Sequence, residues 1–429
     1  MSWDFSTDPD FQTELDWMRT FVREELWTLD SIFDELEMDQ IDRALKPLQA
    51  QVKARGLWAA HLDPELGGQG FGQVKLGLMH EILGTSMLAP AAFGCQAPDS
   101  GNSEILALAG TPAQKEKWLV PLLAGELKSS FSMTERDTPG SDPTQLATRA
   151  VQDGDEWVIT GRKWYSSNAS VADFLIVVAV TDPDAAPHKR ATMFIVPAGT
   201  PGLDIVRDVA SMEATHHRYG RYGNHAEIEY NGVRVGPDAI LGGVGTGFLI
   251  AQQRLGPGRI HHAMRWLGQA QRALDMLCER STYRFAHGSL LGEKQTIQNW
   301  IADSTAEIQA ARLMTLHAAW VMDTQGVSAA RTDIALIKFY GAKVLHDVID
   351  RALQAHGSLG YSSDLPLEQM YRWARAARIY DGPDEVHRQS VARAVLKDHS
   401  PPADGMPSEH VPARQAGARE KFADLLAGS

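Results

Sequence analysis

Through the first 130 residues, apolar side chains recur every three or four positions in Phe11 to Trp27 and in Ile41 to Leu57, before the turn-rich PELGGQGFGQ. That spacing buries one helical face, so it predicts amphipathic helices ending at a break. Gly110-Thr111-Pro112 predicts another helix start: Thr111 can cap it, Pro112 suits the first turn, and Gln114 completes a capping box. From about Ser132 to Gly245 the texture changes to short β-type runs, EWVIT, FLIVVAV, ATMFIV and AEIEYNGVRV, divided by Gly, Pro and Asp turns. From Phe248 to Lys397 helical spacing returns in Ile260 to Arg284, Lys294 to Thr324 and Ala329 to His356. PPADGMPSEHVP then predicts a mobile tail ending in a short helix. The pattern divides the chain into a helical domain (1–130), a β domain (131–245), a second helical domain (246–398) and a tail (399–429).

Composition narrows the function. The 429 residues are 44% hydrophobic, enough for a large core, and the formal charge of −13 argues against a general nucleic-acid binder. Any anionic ligand must meet a local basic cluster. Cys95 and Cys278 are the only cysteines and lie in no metal-ligand spacing, so no zinc site or disulfide framework is expected. The acidic start MSWDFSTDPDFQ lacks a secretory pattern, and no apolar run approaches the ~20 residues of a bilayer span. A cytoplasmic protein is expected.

Several separated segments carry candidate chemistry. Phe131-Ser132-Met133-Thr134-Glu135 puts a hydroxyl and exposed amides at a strand end, as a flat hydrogen-bonding ring requires. Gly161-Arg162-Lys163-Trp164-Tyr165-Ser166-Ser167-Asn168 interleaves aromatics with hydroxyls. Arg284-Phe285-Ala286-His287-Gly288-Ser289-Leu290-Leu291, continuing to Gln295, carries a guanidinium that on spacing alone reads as a solvated helix residue. Gln354-Ala355-His356-Gly357-Ser358-Leu359-Gly360 is a small-residue loop after a helix. Arg378-Ile379-Tyr380-Asp381-Gly382-Pro383-Asp384-Glu385-Val386-His387-Arg388 carries a carboxylate in a turn that, taken alone, reads better as a helix cap.

Together these segments, from about residue 10 to 397, resemble the acyl-CoA dehydrogenase family. The resemblance implies an α+β multidomain fold: an N-terminal helical domain, a middle β-barrel or sandwich, and a C-terminal four-helix bundle. It implies FAD as cofactor, an acyl-CoA substrate, an electron-transfer flavoprotein as acceptor, and a homodimer or homotetramer, because the family's FAD site borrows groups from a second subunit. Met133 and Thr134 fall where the family binds the flavin pyrimidine edge. Tyr165, Ser166 and Ser167 fall in its second flavin segment, with the family's usual Trp one place earlier as Trp164. Arg284 corresponds to the arginine that meets a neighbouring subunit's pyrophosphate, His287 replaces the usual Phe, and Gln295 falls on the adenine side. Gln354, Gly357 and Ser358 match the cofactor loop, Ser358 in place of a glycine, and Gly382 and Glu385 flank the base position on the cofactor side. Ser141 resembles the acyl-CoA-contacting serine, although Arg136 and one inserted residue precede it.

Most family members have Tyr-Glu-Gly-Thr, with the Glu as base, where this chain has Tyr380-Asp381-Gly382-Pro383. Aspartate there, with PDEVH, RLGPGRIHHAMR and WYSS, resembles a branch whose larger members carry a fused kinase-like domain and handle 4-hydroxyacyl-CoA through a 4-phosphorylated intermediate; no such domain fits within these residues. Other members place the base where this chain has Gly258, which cannot take a proton. The implied reaction is α,β-dehydrogenation, with Asp381 taking the α-proton and hydride passing to flavin N5. A desolvated carboxylate and a polarised thioester carbonyl suit that chemistry. Arg254, Arg259, His261, His262 and Arg265 form a basic stripe, in which Arg259 and His262 are substrate-binding candidates for an acyl chain bearing a 4-oxygen or 4-phosphate. His217, Arg218 and Arg221 form a second basic group that could meet CoA phosphates. A solvated face explains either cluster equally well. Two rival functions stay open: an acyl-CoA oxidase or related flavin monooxygenase, and a non-catalytic acyl-CoA-binding flavoprotein scaffold.

Overall fold

The computed structural model describes residues 6–66, 68–213, 224–402 and 405–427, with the backbone alone for residues 253–255. Its N-terminal part contains helices α1 (Pro9–Phe21), α2 (Met38–Ala54), α3 (Gln73–Leu83) and α4 (Asp99–Ala109). Asp8 caps α1 by accepting from Phe11 N at 2.9 Å, and Phe11, Leu15, Met18 and Phe21 form the buried stripe. The run expected to reach Trp27 is interrupted by a π-type turn at Val22–Leu26, which keeps Val22 and Leu26 buried. Thr111 and Gln114 form the expected capping box: Gln114 N donates to Thr111 Oγ1 at 3.2 Å and Thr111 N to Gln114 Oε1 at 3.0 Å.

The middle part is one eight-stranded sheet of β1 (Ser129–Ser132), β2 (Arg149–Asp153), β3 (Glu156–Ser167), β4 (Phe174–Val180), β5 (Ala191–Pro197), β6 (Leu203–Asp208), β7 (His225–Val235) and β8 (Ile240–Leu241). The order is β6-β7-β3-β2-β4-β5-β8, and β1 pairs with β4 in parallel. All seven residues of β4 are buried. Phe174, Ile176 and Val178 pack towards Ile105 and Leu106 of α4, while Leu175, Val177 and Ala179 pack with Ile159 and Tyr230. The two-residue period thus welds the sheet to the helical part.

The C-terminal part contains α5 (Gly247–Tyr283), a hairpin of β9 (Phe285–Ala286) and β10 (Ser289–Leu290), α6 (Gln295–Gln325), α7 (Arg331–His356), α8 (Leu367–Ala374) and α9 (Asp384–Leu396). α5 begins well before the expected Ile260 and runs through Pro257. Ile250 and Ala251 are buried against the β-domain cluster, and that packing outweighs the helix-breaking tendency of proline. α3 and α5 cross almost backbone to backbone: a Cβ on Gly268 would lie 1.8 Å from the Glu81 carbonyl oxygen, and one on Gly84 2.1 Å from that of Arg265. Only glycine permits that approach, which brings the basic stripe of α5 against α3. The tail helix α10 (Val411–Lys421) is exposed throughout. Among the described residues no helix is long and apolar enough to cross a membrane, and no group of three or more His, Cys, Asp or Glu side chains could hold a metal ion.

Candidate active site

Asp381 lies in the turn between the 3-10 segment Arg375–Arg378 and α9, with a left-handed backbone at φ 55°, followed by Gly382 at φ 99°. Such a conformation for a non-glycine residue costs on the order of 1–3 kcal/mol and persists only where its surroundings impose it. Arg259 Nε and Nη2 donate to the Asp381 carbonyl at 3.1 and 3.0 Å, and His387 Nε2 lies 3.1 Å from the same oxygen. Lys338 Nζ donates to the carbonyls of Ala377 at 2.7 Å and Gly382 at 3.2 Å. A Cβ on Gly382 would sit 2.8 Å from His387 Nε2. Burial, then the Arg259 charge, pushes the His387 imidazole down to about 4, so it is neutral at pH 7 and can donate Nε2–H to the carbonyl.

The Asp381 carboxylate meets His262: Nε2 lies 3.4 Å from Oδ2, with the side chains 24% and 22% exposed, so the pair is open to water on one side. Tyr380 walls the other side. Its hydroxyl accepts from Trp266 Nε1 at 2.8 Å, and its ring lies 5.2 Å from that of His262. Arg259 and His262 both find partners on Asp381. The other members of the stripe turn towards the N-terminal helices: His261 Nε2 is 3.0 Å from Gln73 Oε1, its ring stacks on His80 at 4.3 Å, and Arg265 donates to His80 Nδ1 at 3.0 Å and to the Cys95 carbonyl at 2.6 Å. The stripe therefore divides between two surroundings instead of forming one anion-receiving wall. His217, Arg218 and Arg221, and the side chain of Arg254, lie outside the described residues.

The expected flavin segments meet at the ends of β1 and β3. Trp164 N donates to the Thr134 carbonyl at 3.0 Å, and Lys163 Nζ donates to the Met133 carbonyl and to Glu135 Oε1, both at 2.8 Å. Lys163 and Glu135 are a buried ion pair whose carboxylate also accepts from Ala147 N, Thr148 N and Thr138 Oγ1 at 2.7, 2.9 and 3.1 Å. Burial works against the charged carboxylate, but Lys163 and these donors hold the Glu135 carboxyl below its ordinary range. Tyr165, at φ 50°, is 43% exposed, and the Ser167 hydroxyl lies 2.9 Å from His225 Nδ1. Ser166 is fully buried, its hydroxyl donating to Ser132 Oγ at 3.0 Å, where Tyr230 OH also donates at 2.8 Å. Ser166 thus braces the strand pair from within the core. Ser141 is exposed in the loop between β1 and β2.

A second group lies far from Asp381. Arg284 is exposed directly after α5, and His287, at φ 50°, turns the hairpin and gives its carbonyl to Lys294 at 2.9 Å. Gln295 Nε2 donates to Asn299 Oδ1 at 2.9 Å. Gln354, Gly357 and Ser358 are exposed where α7 ends. At 1.5 Å per residue, Tyr283 is about 35 Å along α5 from Arg259, and His356 is about 27 Å along α7 from Lys338. Glu385 is exposed at the start of α9.

Sequence reasoning passed over Lys338, His387, Trp266 and the Lys163–Glu135 pair. Lys338 left a trace: it shares an apolar stripe with Ile334, Ile337, Ala342 and Leu345, where a lysine needs a reason to stay.

Helical, β and helical parts in this order, with a carboxylate turn packed on the first long helix of the second helical part, define the acyl-CoA dehydrogenase fold. The solved butyryl-CoA dehydrogenase of Megasphaera elsdenii shares it at a TM-score of 0.79 and 29% identity, over 92% of this chain and all of that one. The chain belongs to the acyl-CoA dehydrogenase family: it matches the family's N-terminal domain over residues 9–126, middle domain over 130–222 and C-terminal domain over 245–396. It is an oxidoreductase of a family whose members are FAD-dependent flavoproteins. Mycobacterium tuberculosis FadE2 is 46% identical over 355 residues, 82% of this chain and 85% of the relative. Acyl-CoA dehydrogenase family member 11 of Rattus norvegicus is 41% identical over 362 residues, 83% of this chain but 45% of the relative's length.

Proposed function

We propose that this chain carries out FAD-dependent α,β-dehydrogenation of an acyl-CoA thioester, with Asp381 as the base. The observation that carries this is the Asp381 turn. Its strained backbone is held through carbonyl oxygens by Arg259, His387 and Lys338, while its carboxylate lies beside His262, 22% exposed. A group held this way can take a proton from a substrate carbon without reorganising. FAD, when bound, accepts the β-hydride. The residues suit such a cofactor: Thr134 and the exposed Tyr165 ring offer a hydroxyl and an aromatic face at one strand end, with Met133 and Ser167 beside them, and Arg284 offers a guanidinium fork to a pyrophosphate. The Arg284, His287 and Gln295 hairpin and the Gln354, Gly357 and Ser358 loop lie too far along their helices to join the Asp381 turn, which favours their serving a neighbouring copy in a homodimer or homotetramer.

An electron-transfer flavoprotein is the acceptor in this scheme, and the protein works in the cytoplasm. An acyl chain with a 4-oxygen or 4-phosphate is the finer expectation. Arg259 and His262 are already partnered by Asp381, so their need for an anion no longer argues for it, and the choice rests with the substrate itself. Anaerobic bleaching of the protein's flavin by a panel of acyl-CoA thioesters, plain and 4-oxygenated, tests the proposal. Protein that purifies colourless and takes up no FAD overturns it, and rapid hydrogen peroxide release in air turns it into an oxidase.

A further inference from the structure

Lys338 is 0% exposed in the middle of α7, yet no carboxylate is in ion-pair contact with it among the described residues. A buried ammonium without a partner is costly, and here its hydrogen bonds go to two backbone carbonyls, Ala377 at 2.7 Å and Gly382 at 3.2 Å, four residues before and one after Asp381. The rings of Trp266 and Tyr380 lie 5.4 and 5.5 Å from Nζ. Asp384 of α9 is also near, but its Oδ2 is engaged by Arg378 at 2.8 Å and Arg388 at 3.4 Å. Of the other groups around it, Arg259 of α5 is a like charge and His387 of α9 is neutral. The negative charges that balance Lys338 are therefore those of Asp381, the larger contributor, and Asp384.

We propose that Lys338 is the positioning residue of the base: it pins the backbone on both sides of Asp381, and its charge keeps the Asp381 carboxyl ionised and ready to take a proton. This rests on Asp381 being the base. Burial pulls the Lys338 ammonium down to about 8, and Asp381 first and Asp384 second hold it up; the coupling is mutual, so Lys338 must favour the ionised Asp381 carboxylate by the same interaction. Gln at this position can still donate to a carbonyl but carries no charge, whereas Met does neither. Position and charge can thus be separated.

The test is anaerobic flavin reduction by the holoenzyme across pH, using whichever acyl-CoA of the panel bleaches the wild type fastest. Lys338→Gln should keep its FAD and move the acidic limb up by about one pH unit, the shift expected when a nearby opposite charge is lost. Lys338→Met should shift the limb likewise and lose tenfold or more in rate. Rate or stability losses with the acidic limb left at the wild-type pH would overturn the proposal and make Lys338 a core residue only. Because these variants can fail to fold, the reciprocal titration is also read, by nitrogen-15 NMR of the Lys338 ammonium in wild type and in Asp381→Asn. Its pKa should fall in the variant, and an unchanged value overturns the coupling. Flavin reduction that survives Asp381→Asn would sink the base assignment instead, and this titration reads the coupling independently of it.

Discussion

Replacing Lys163 with Met should unlock the strand end that carries Met133 and Thr134. The ammonium is fully buried and binds the Met133 carbonyl and Glu135 Oε1 at 2.8 Å each, so the substitution strips a carbonyl of its donor and a buried carboxylate of its counter-charge. Ala147 N, Thr148 N and Thr138 Oγ1 still solvate that carboxylate, but removing one member of a buried ion pair costs about 3–5 kcal/mol. Glu135→Gln should cost a similar amount by stranding the ammonium. The double variant removes both charges, so its cost should fall short of the sum by about 1–3 kcal/mol. Denaturant unfolding of the purified flavoprotein measures the stabilities, and FAD retained after ultrafiltration shows whether the strand end has moved. Additive single costs, or a single variant within about 1 kcal/mol of wild type, would refute the reasoning. The pH dependence has a fixed sign. Glu135 is held below its ordinary value of 4.5, so its stabilising contribution is fully present from that pH up to about 8, where burial lets the Lys163 ammonium lose its proton, and is lost as pH falls through the depressed folded value. The deficit of Lys163→Met should therefore be larger at pH 7 than at pH 4.

Asp381→Asn should abolish flavin reduction while keeping the FAD. A Cβ on Gly258 would meet nothing within 4 Å, so adding Gly258→Glu should restore part of the rate, and a dead but folded, yellow double variant would count against a carboxylate reaching the substrate from that helix. Arg284→Ala should loosen FAD by at least tenfold, as expected for losing a charged hydrogen bond worth about 1.5–3 kcal/mol, and equilibrium dialysis showing unchanged affinity would move the pyrophosphate contact elsewhere. Burial pushes the Asp99 carboxyl up to about 6, and its Oδ1 accepts from Ser129 N at 2.8 Å and Ser129 Oγ at 2.6 Å, bonds that asparagine can keep. A raised folded pKa contributes stability that is fully present below the ordinary 3.8 and is lost as pH rises through about 6, so Asp99→Asn should match or exceed wild type in thermal melts at pH 7.5 and lose ground towards pH 4. A less stable variant at pH 7.5 would contradict this.

How much was legible follows from what kind of interaction each residue makes. The β strands could be read because their apolar runs are local; FLIVVAV is β4, buried throughout. The start of α5 could not, because Ile250 and Ala251 are helical through packing on strands distant in sequence. The Asp381 turn was found by its resemblance to a family motif, while its supports were not: Lys338 and Asp381 are 43 residues apart, and Arg259 and Asp381 122. Arg259 and His262, three residues apart on α5, both contact Asp381, and their spacing in the sequence is that of one helical face. That spacing could not say that the face would meet the Asp381 turn, because a helical period gives direction around an axis and not the identity of the neighbour.

The donors around Asp381 set up a tension that the backbone geometry can relieve. A carboxylate near Arg259, His262 and Lys338 is easily kept ionised, and for the same reason it is a weaker base. The α-proton of a thioester is weakly acidic, so on the proposed role what Asp381 loses in basicity must be recovered by polarising the thioester oxygen. The peptide joining Asp381 to Gly382 has its oxygen bound by Arg259 twice and by His387 once. In a planar trans peptide the N–H points opposite the carbonyl, and loading the carbonyl with donors strengthens that N–H as a donor. The bonds that hold Asp381 in a strained turn therefore also sharpen the Gly382 amide on the other side of the same peptide. Glycine suits that position because its φ of 99° strains any residue with a side chain, and a Cβ would also press on His387 Nε2 at 2.8 Å. Fixing Asp381 and strengthening a neighbouring donor are thus one arrangement, and a substitution at Arg259 or His387 must disturb both together.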